Sequence, residues 1–150
     1  MADTAVDLAL ALAKRFEGCR LKAYWDAAGK VWTVGYGCTG AGINGTTAWS
    51  QDQADDEVCQ RLTAAYQQAV RLSPTLSAAD VRRQAAITDF IFNLGCGAYR
   101  YSTLRACVDA GDWVGAAIRI RAWDHAGGVV LAGLVRRRQA EAALLELVDD

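Results

Sequence analysis

Proline is almost missing from this chain: Pro74 is the only one in 150 residues. Few positions are therefore barred from helix. Histidine is equally scarce, with His125 alone, and none of the five cysteines forms a CxxC pair. That pattern excludes the usual ligand spacings of a structural zinc site, and no metal or other cofactor is expected. The odd cysteine count leaves at least one thiol unpaired in a monomer. Buried free thiols are expected, with one disulfide left open. A charge of one sign is also missing. The formal net charge is -1 and the pI is about 5.8, so bulk charge draws in no nucleic acid. No apolar run reaches bilayer length, which argues against stable membrane insertion. The opening MADTAVDLALALAKRFEG carries Asp3 and Asp7 where a secretory signal needs positive residues, and it has no cleavage site. If the protein acts outside the cytoplasm, another agent is expected to release it.

What is present is a folded composition, 53% hydrophobic and 22% charged, of a length that fits one domain. Residues 3 to about 18 read as a helix with Leu8, Leu12 and Phe16 on one face and Gly18 as its stop. Residues 20 to 47 change character. Six glycines punctuate short β-favouring runs such as KVWTVGYG, with turns at 28–30 and 44–45. A small antiparallel sheet is expected there. Ser50 and Gln53 match a capping box, and Val58, Leu62, Ala65, Ala69 and Leu72 keep a helical rhythm up to Ser73-Pro74. A long helix is thus predicted to link the sheet to the carboxyl-terminal part of the chain. Further helices are expected from a Ser77/Asp80 start to about 94, over 102 to 110, after Asp112, and from 134 to 148, with a loop at Gly127-Gly128 before the last. The cationic runs Arg82-Arg83 and Arg136-Arg137-Arg138 read first as solvated helix faces, with an anionic polymer as the alternative contact. Segregated helices and strands make an α+β fold, with one domain over 1–150, a β-rich lobe at about 20–49 and a mainly helical lobe at about 73–150.

Two carboxylates stand out. Glu17 ends the first helix beside Phe16, and Asp26 lies after Tyr24-Trp25 just before the hairpin. A hairpin folded back over the helix brings such a pair across a cleft. Glycoside hydrolysis needs this division of labour: one carboxyl protonated to assist the leaving oxygen, one ionised to direct water. Burial beside Phe16 acts in the first direction for Glu17. Thr33, on the first strand after the turn, is placed to orient a water beside Asp26. The local aromatics Tyr24, Trp25, Trp32, Tyr36 and Trp49 form either a wall for sugar rings or the small lobe's own core.

Four stretches, RFEGCRLKAYWD at 15–26, WTVGYGCTG at 32–40, FNLGCGAYRYSTL at 92–104 and GLVRRRQAE at 133–141, together resemble the phage-type lysozymes of the T4 lysozyme family, glycoside hydrolase family 24, and most of all its lambdoid branch. The resemblance implies a lysozyme-like fold and an endolysin muramidase that hydrolyses the β-1,4 bond between N-acetylmuramic acid and N-acetylglucosamine in peptidoglycan. It implies Glu17 as general acid, Asp26 as second carboxylate, Thr33 as active-site threonine, and inversion at the anomeric carbon. Phe92 and Thr103 match cleft-lining, substrate-binding positions of the helical lobe, and Trp123 a core tryptophan. Arg136 to Arg138 match a basic helix start able to meet stem peptides or acidic groups of the wall. The implied setting is a monomer that waits in the host bacterial cytoplasm until a holin opens the membrane, then reaches periplasm and wall.

Two departures bear on these roles. Six residues, not the usual five, separate Asp26 from Thr33: a longer turn absorbs the extra one, or a slipped register rotates Thr33 outward. Cys38 stands where relatives carry histidine and cannot supply its charge or its two nitrogens. Two other functions compete with hydrolysis. A lytic transglycosylase needs the acid but no water-directing Asp–Thr pair, and the presence of Asp26 favours hydrolysis. A silent wall-binding module has no need of Glu17, which is retained.

Overall fold

The computed structural model describes residues 2–148. Helix α1 spans Ala5–Phe16, capped reciprocally: the Asp7 amide donates to the Thr4 hydroxyl, and the Thr4 amide donates to the Asp7 carboxylate. Its innermost residues are Ala5, Ala9, Leu12 and Ala13, not the Leu8–Leu12–Phe16 stripe. The small alanines let α1 lie close to its neighbours.

Strands β1 (Arg20–Asp26) and β2 (Val31–Gly35) form an antiparallel hairpin. Tyr24 faces Thr33, Trp25 faces Trp32 and Asp26 faces Val31, with an irregularity between Arg20 and Tyr24. The segment after the glycine-rich loop returns to the other edge of β1, where the Trp49 amide donates to the Leu21 carbonyl at 2.8 Å and the Ala23 amide to the Thr47 carbonyl at 2.9 Å. Trp25 and Trp32 pack edge to face with centroids 5.4 Å apart.

Helix α2, Gln51–Leu72, starts at Ser50 with the expected capping box to Gln53. At ~1.5 Å per residue its length is about 33 Å. Its buried stripe of Ala54, Val58, Leu62, Ala65, Ala69 and Leu72 serves two clusters. Val58 and Leu62 pack with Ala9, Ala13, Tyr36 and Ala85, which joins α1, the end of the sheet and α2. Leu72 packs with Leu76, Ile87, Phe90, Tyr99, Leu104, Ile120 and Leu145 in the helical core.

After a 3-10 turn at Pro74–Ala78 come α3 (Val81–Leu94), α4 (Cys96–Arg100), α5 (Thr103–Asp109), α6 (Trp113–Arg121) and α7 (Ala132–Glu146). Several details differ from the sequence reading. Ser77 does not cap α3. Its hydroxyl donates to the Pro74 carbonyl, and Asp80 accepts from the Arg82 amide instead. The Gly95–Gly97 interruption holds the short α4. The Gly127-Gly128 loop is the tip of a two-residue hairpin, β3 (His125–Ala126) with β4 (Val129–Val130). Trp123 packs edge-on against Phe90, 5.4 Å between centroids, as a core residue does. All five cysteines are unpaired, and only Cys38 is buried. No helix among the described residues is long and apolar enough to cross a membrane.

Candidate active site

Glu17 leaves α1 at its carboxyl end. Its amide still donates to the Ala13 carbonyl at 2.7 Å, but its own backbone has turned extended (φ -100, ψ 122). The side chain is therefore thrown off the helix axis toward the sheet. It enters a cleft of about 680 Å³ lined by Tyr24, Asp26 and Thr33 from the hairpin, Arg61 and Gln68 from α2, and Phe92 and Asn93 from the end of α3. A second hollow of about 580 Å³, lined by Phe16, Leu131, Gly133 and Arg136, meets the first at Glu17 and Asn93. Glu17 thus borders both hollows.

The hairpin places the other residues. Opposed residues of an antiparallel pair share a face, as do residues two apart. Tyr24, Asp26 and Thr33 consequently share the cleft face, and Trp25 and Trp32 the opposite one. The extra residue before Thr33 is taken up by the turn, 27–30, where Lys30 adopts φ 54. The pairing is regular from Asp26–Val31 to Tyr24–Thr33, and Thr33 is buried at the cleft wall. The Ala28 amide donates to Asp26 Oδ1 at 3.1 Å and steadies that carboxylate.

Gly37 makes room for the acid. It sits at φ +74, and a Cβ there would lie 2.8 Å from Glu17 Oε2. Only glycine meets both the backbone and the space requirement. Cys38 next to it is buried, and burial pushes its thiol up, with Arg61 pulling the other way. Arg61 itself holds the glycine-rich loop to α2, donating to the Thr39 carbonyl at 2.8 Å and to Glu57 at 3.0 Å.

The basic run at 136–138 is where the sequence reading needs most correction. Arg136 is exposed, but Arg137 and Arg138 are buried, so these two do not form a solvated face. Arg137 Nη1 donates to Glu17 Oε1 at 2.7 Å, while its Nε and Nη2 donate to the two oxygens of Asp89 at 2.9 and 2.8 Å. Burial pulls the guanidinium down, but the Asp89 and Glu17 carboxylates outweigh it and hold Arg137 above its ordinary range. Arg138 Nη2 donates to Asn93 and to Glu141, each at 2.9 Å. Burial and the nearby Asp89 push the Glu141 carboxyl up, with Arg138 and Arg137 pulling it back. The other run is also structural in part: Arg83 Nε donates to the Leu145 carbonyl at 2.8 Å and its guanidinium lies over the Trp113 ring.

Of the expected site residues, Glu17, Asp26, Thr33 and Phe92 line one cleft. Thr103 does not. It is the exposed first residue of α5, a helix whose cap, Ser102, accepts from the Arg105 amide. The expectation that it lines the cleft is corrected accordingly. His125 is exposed and pairs with Asp124, Nδ1 to Oδ1 2.6 Å. Asp89, Gly37 and Asn93 were not among the expected residues, and Arg137 was expected only as part of a basic run. Asp89 had a signal, an acid inside the apolar run ITDFIF, and such a residue is almost never buried without a partner.

A family model described as phage lysozyme matches residues 14–141. This chain belongs to the phage lysozyme family. An endolysin of Acyrthosiphon pisum secondary endosymbiont phage 1 is 37% identical over 145 residues, 91% of this chain and 94% of that one. Among solved structures, the muramidase domain of SpmX from Asticaccaulis excentricus superposes with a TM-score of 0.79 at 27% identity, covering 91% of this chain and 93% of the other. The active form of the P1 phage endolysin Lyz gives a TM-score of 0.81 at 26% identity, with 95% of this chain and 86% of that one covered. The fold is the lysozyme-like one, mostly helical with a small antiparallel sheet. As a phage lysozyme the protein is a glycoside hydrolase that acts on peptidoglycan.

Proposed function

We propose that Glu17 is the general acid of this lysozyme and that Asp26, with Thr33, directs the attacking water. The observation that carries this is the shared cleft: Glu17, from the end of α1, lines it together with Asp26 and Thr33 from the hairpin. In the step proposed, the Glu17 carboxyl gives its proton to the bridging oxygen as the bond from that oxygen to the anomeric carbon of N-acetylmuramic acid breaks. Water held by Thr33 and Asp26 attacks that carbon from the other face and passes its proton to Asp26. The anomeric configuration inverts, and solvent returns both carboxyls to their starting state. Phe92 lines the groove and offers an apolar surface to a sugar ring; Thr103 has no part in it.

The test is loss of turbidity of permeabilised Gram-negative cells with Glu17→Gln, which keeps size and hydrogen bonding but holds no acidic proton. Activity is expected to fall at least ~100-fold, within the range general acid catalysis supplies. Activity equal to the parent would remove Glu17 from the role. Reducing muramic ends in the digested wall are the expected products, whereas anhydromuramic ends would identify transglycosylation.

We further propose that the chain works as a monomer in host lysis, held in the bacterial cytoplasm until a holin admits it to the periplasm and wall. Its likeness to a phage endolysin over nearly its whole length supports this setting.

A further inference from the structure

Among the described residues, Glu17, the acid proposed above, pairs with one cation, Arg137, and that partner is itself shared. Of the three hydrogen bonds that Arg137 makes to carboxylates, two go to Asp89 and one to Glu17. The side chains of Asp89 and Arg137 are 0% and 4% exposed, while that of Glu17 is 26% exposed. The buried pair is therefore Arg137–Asp89, and Glu17 rests on its solvent edge. An arginine beside a proton donor creates a conflict. It orients the carboxyl, but a bare positive charge at hydrogen-bond distance also favours the carboxylate form, which has no proton to give. A second carboxylate on the far side of the guanidinium removes that conflict and keeps the orientation.

We propose that Asp89 is a positioning residue for hydrolysis: it anchors Arg137 and balances its charge, so that Glu17 meets an oriented donor and not an unbalanced cation. The inference rests on Glu17 being the acid. The charged groups around the pair fit it. On α7, Arg138 and Glu141 form a second buried pair next to Asp89, with Arg138 also bonded to Asn93. From the β lobe, Cys38 lies beyond Gly37 with its thiol pushed up by burial, so it adds no charge near neutrality. Asp26 lines the same cleft as Glu17, and on α1 the guanidinium of Arg15 lies over the Phe16 ring. Apolar rings complete the surroundings of Arg137, with Phe16 and Phe92 centred 5.9 and 6.0 Å from its guanidinium carbon. Among the described residues, the acids bonded to Arg137 are Glu17 at Nη1 and Asp89 at Nε and Nη2.

The test is the pH profile of kcat/KM on soluble peptidoglycan fragments. Asp89→Asn keeps the shape and one acceptor oxygen but removes the balancing charge. Its alkaline limb is expected to move down by about one to two pH units, the usual effect of a nearby opposite charge, while the acid limb stays. The double variant Asp89→Asn with Arg137→Gln removes both charges together, and its limb is expected to return to within about half a unit of the parent on the same ground. A uniform loss of rate at every pH, with both limbs in place, would show a merely structural anchor and overturn the proposal. If circular dichroism shows that Asp89→Asn does not fold, the balanced double variant is compared with Arg137→Gln alone. A higher alkaline limb in the single variant supports the proposal, and coincident limbs overturn it. Glu17→Gln, run alongside, separates the two levels: if it stays active, the assignment of the acid falls, whereas if it is inactive and Asp89→Asn shifts nothing, only the role of Asp89 falls.

Discussion

Gly37→Ala isolates what the glycine beside the acid contributes. At φ +74 an alanine carries backbone strain of ~1–2 kcal/mol. Stiffening of the unfolded chain offsets part of this, roughly 0.4–1 kcal/mol. The net loss is about 1 kcal/mol, or a Tm lower by roughly 3 °C for a chain of this size. The added methyl also meets Glu17 Oε2 at 2.8 Å, about 0.6 Å inside ordinary van der Waals contact. The carboxylate must retreat, and its other oxygen is tied to Arg137 at 2.7 Å, so the whole group rotates out of line. A 1 Å misplacement costs on the order of 100-fold in rate, and half of that roughly tenfold. The assay is hydrolysis of soluble wall fragments, with kcat expected to fall about tenfold and KM nearly unchanged. Gly42→Ala is the matched control. It sits at φ +83 with no atom within 4 Å of the new methyl, so it shows a similar strain in Tm and keeps its kcat. If Gly37→Ala lost Tm as Gly42→Ala does but kept the parental kcat, Glu17 would not depend on that space, and the reasoning would be refuted.

Asp26→Asn is expected to remove most wall hydrolysis while changing stability by less than ~0.5 kcal/mol, because the amide oxygen still accepts from Ala28; undiminished hydrolysis at an unchanged Tm would exclude Asp26 from the mechanism. Tyr99 supplies a pH dependence of stability. Burial pushes its hydroxyl from 10.0 up to about 12, against the opposing hydrogen bond with Ser73. Between these values the unfolded chain loses the proton and the folded one keeps it, so stability is full below pH 10 and falls by roughly 2–3 kcal/mol as pH rises to 12. Tyr99→Phe removes this alkaline slope in denaturant titrations. It also costs about 1 kcal/mol at neutral pH, because the buried Ser73 hydroxyl loses its 2.7 Å partner; an unchanged alkaline slope would contradict the shift.

What the sequence by itself determined is local. Capping residues at Ser50 and Gln53, the apolar rhythm of α2, and the glycine-punctuated run after residue 20 specify elements through contacts a few residues apart. The same locality explains the errors of detail. Asp80 competes with Ser77 as a cap only three residues away, and a short helix such as α4 has too few turns to show a period. Motif spacing marks Glu17 and Asp26 as candidates, although periodicity alone says nothing of their chemistry. The tertiary structure decided three further matters. It took up the added residue between Asp26 and Thr33 in the turn, where Lys30 is held in the left-handed region at φ 54. It left Thr103 outside the groove. And it buried Arg137 and Arg138, which look like a solvated run in sequence, against Asp89, Glu141 and Glu17. Those partners lie 48 and 120 residues from Arg137 in the case of Asp89 and Glu17. Charge pairing over such separations depends on how α1, α3 and α7 pack, and no local pattern encodes it.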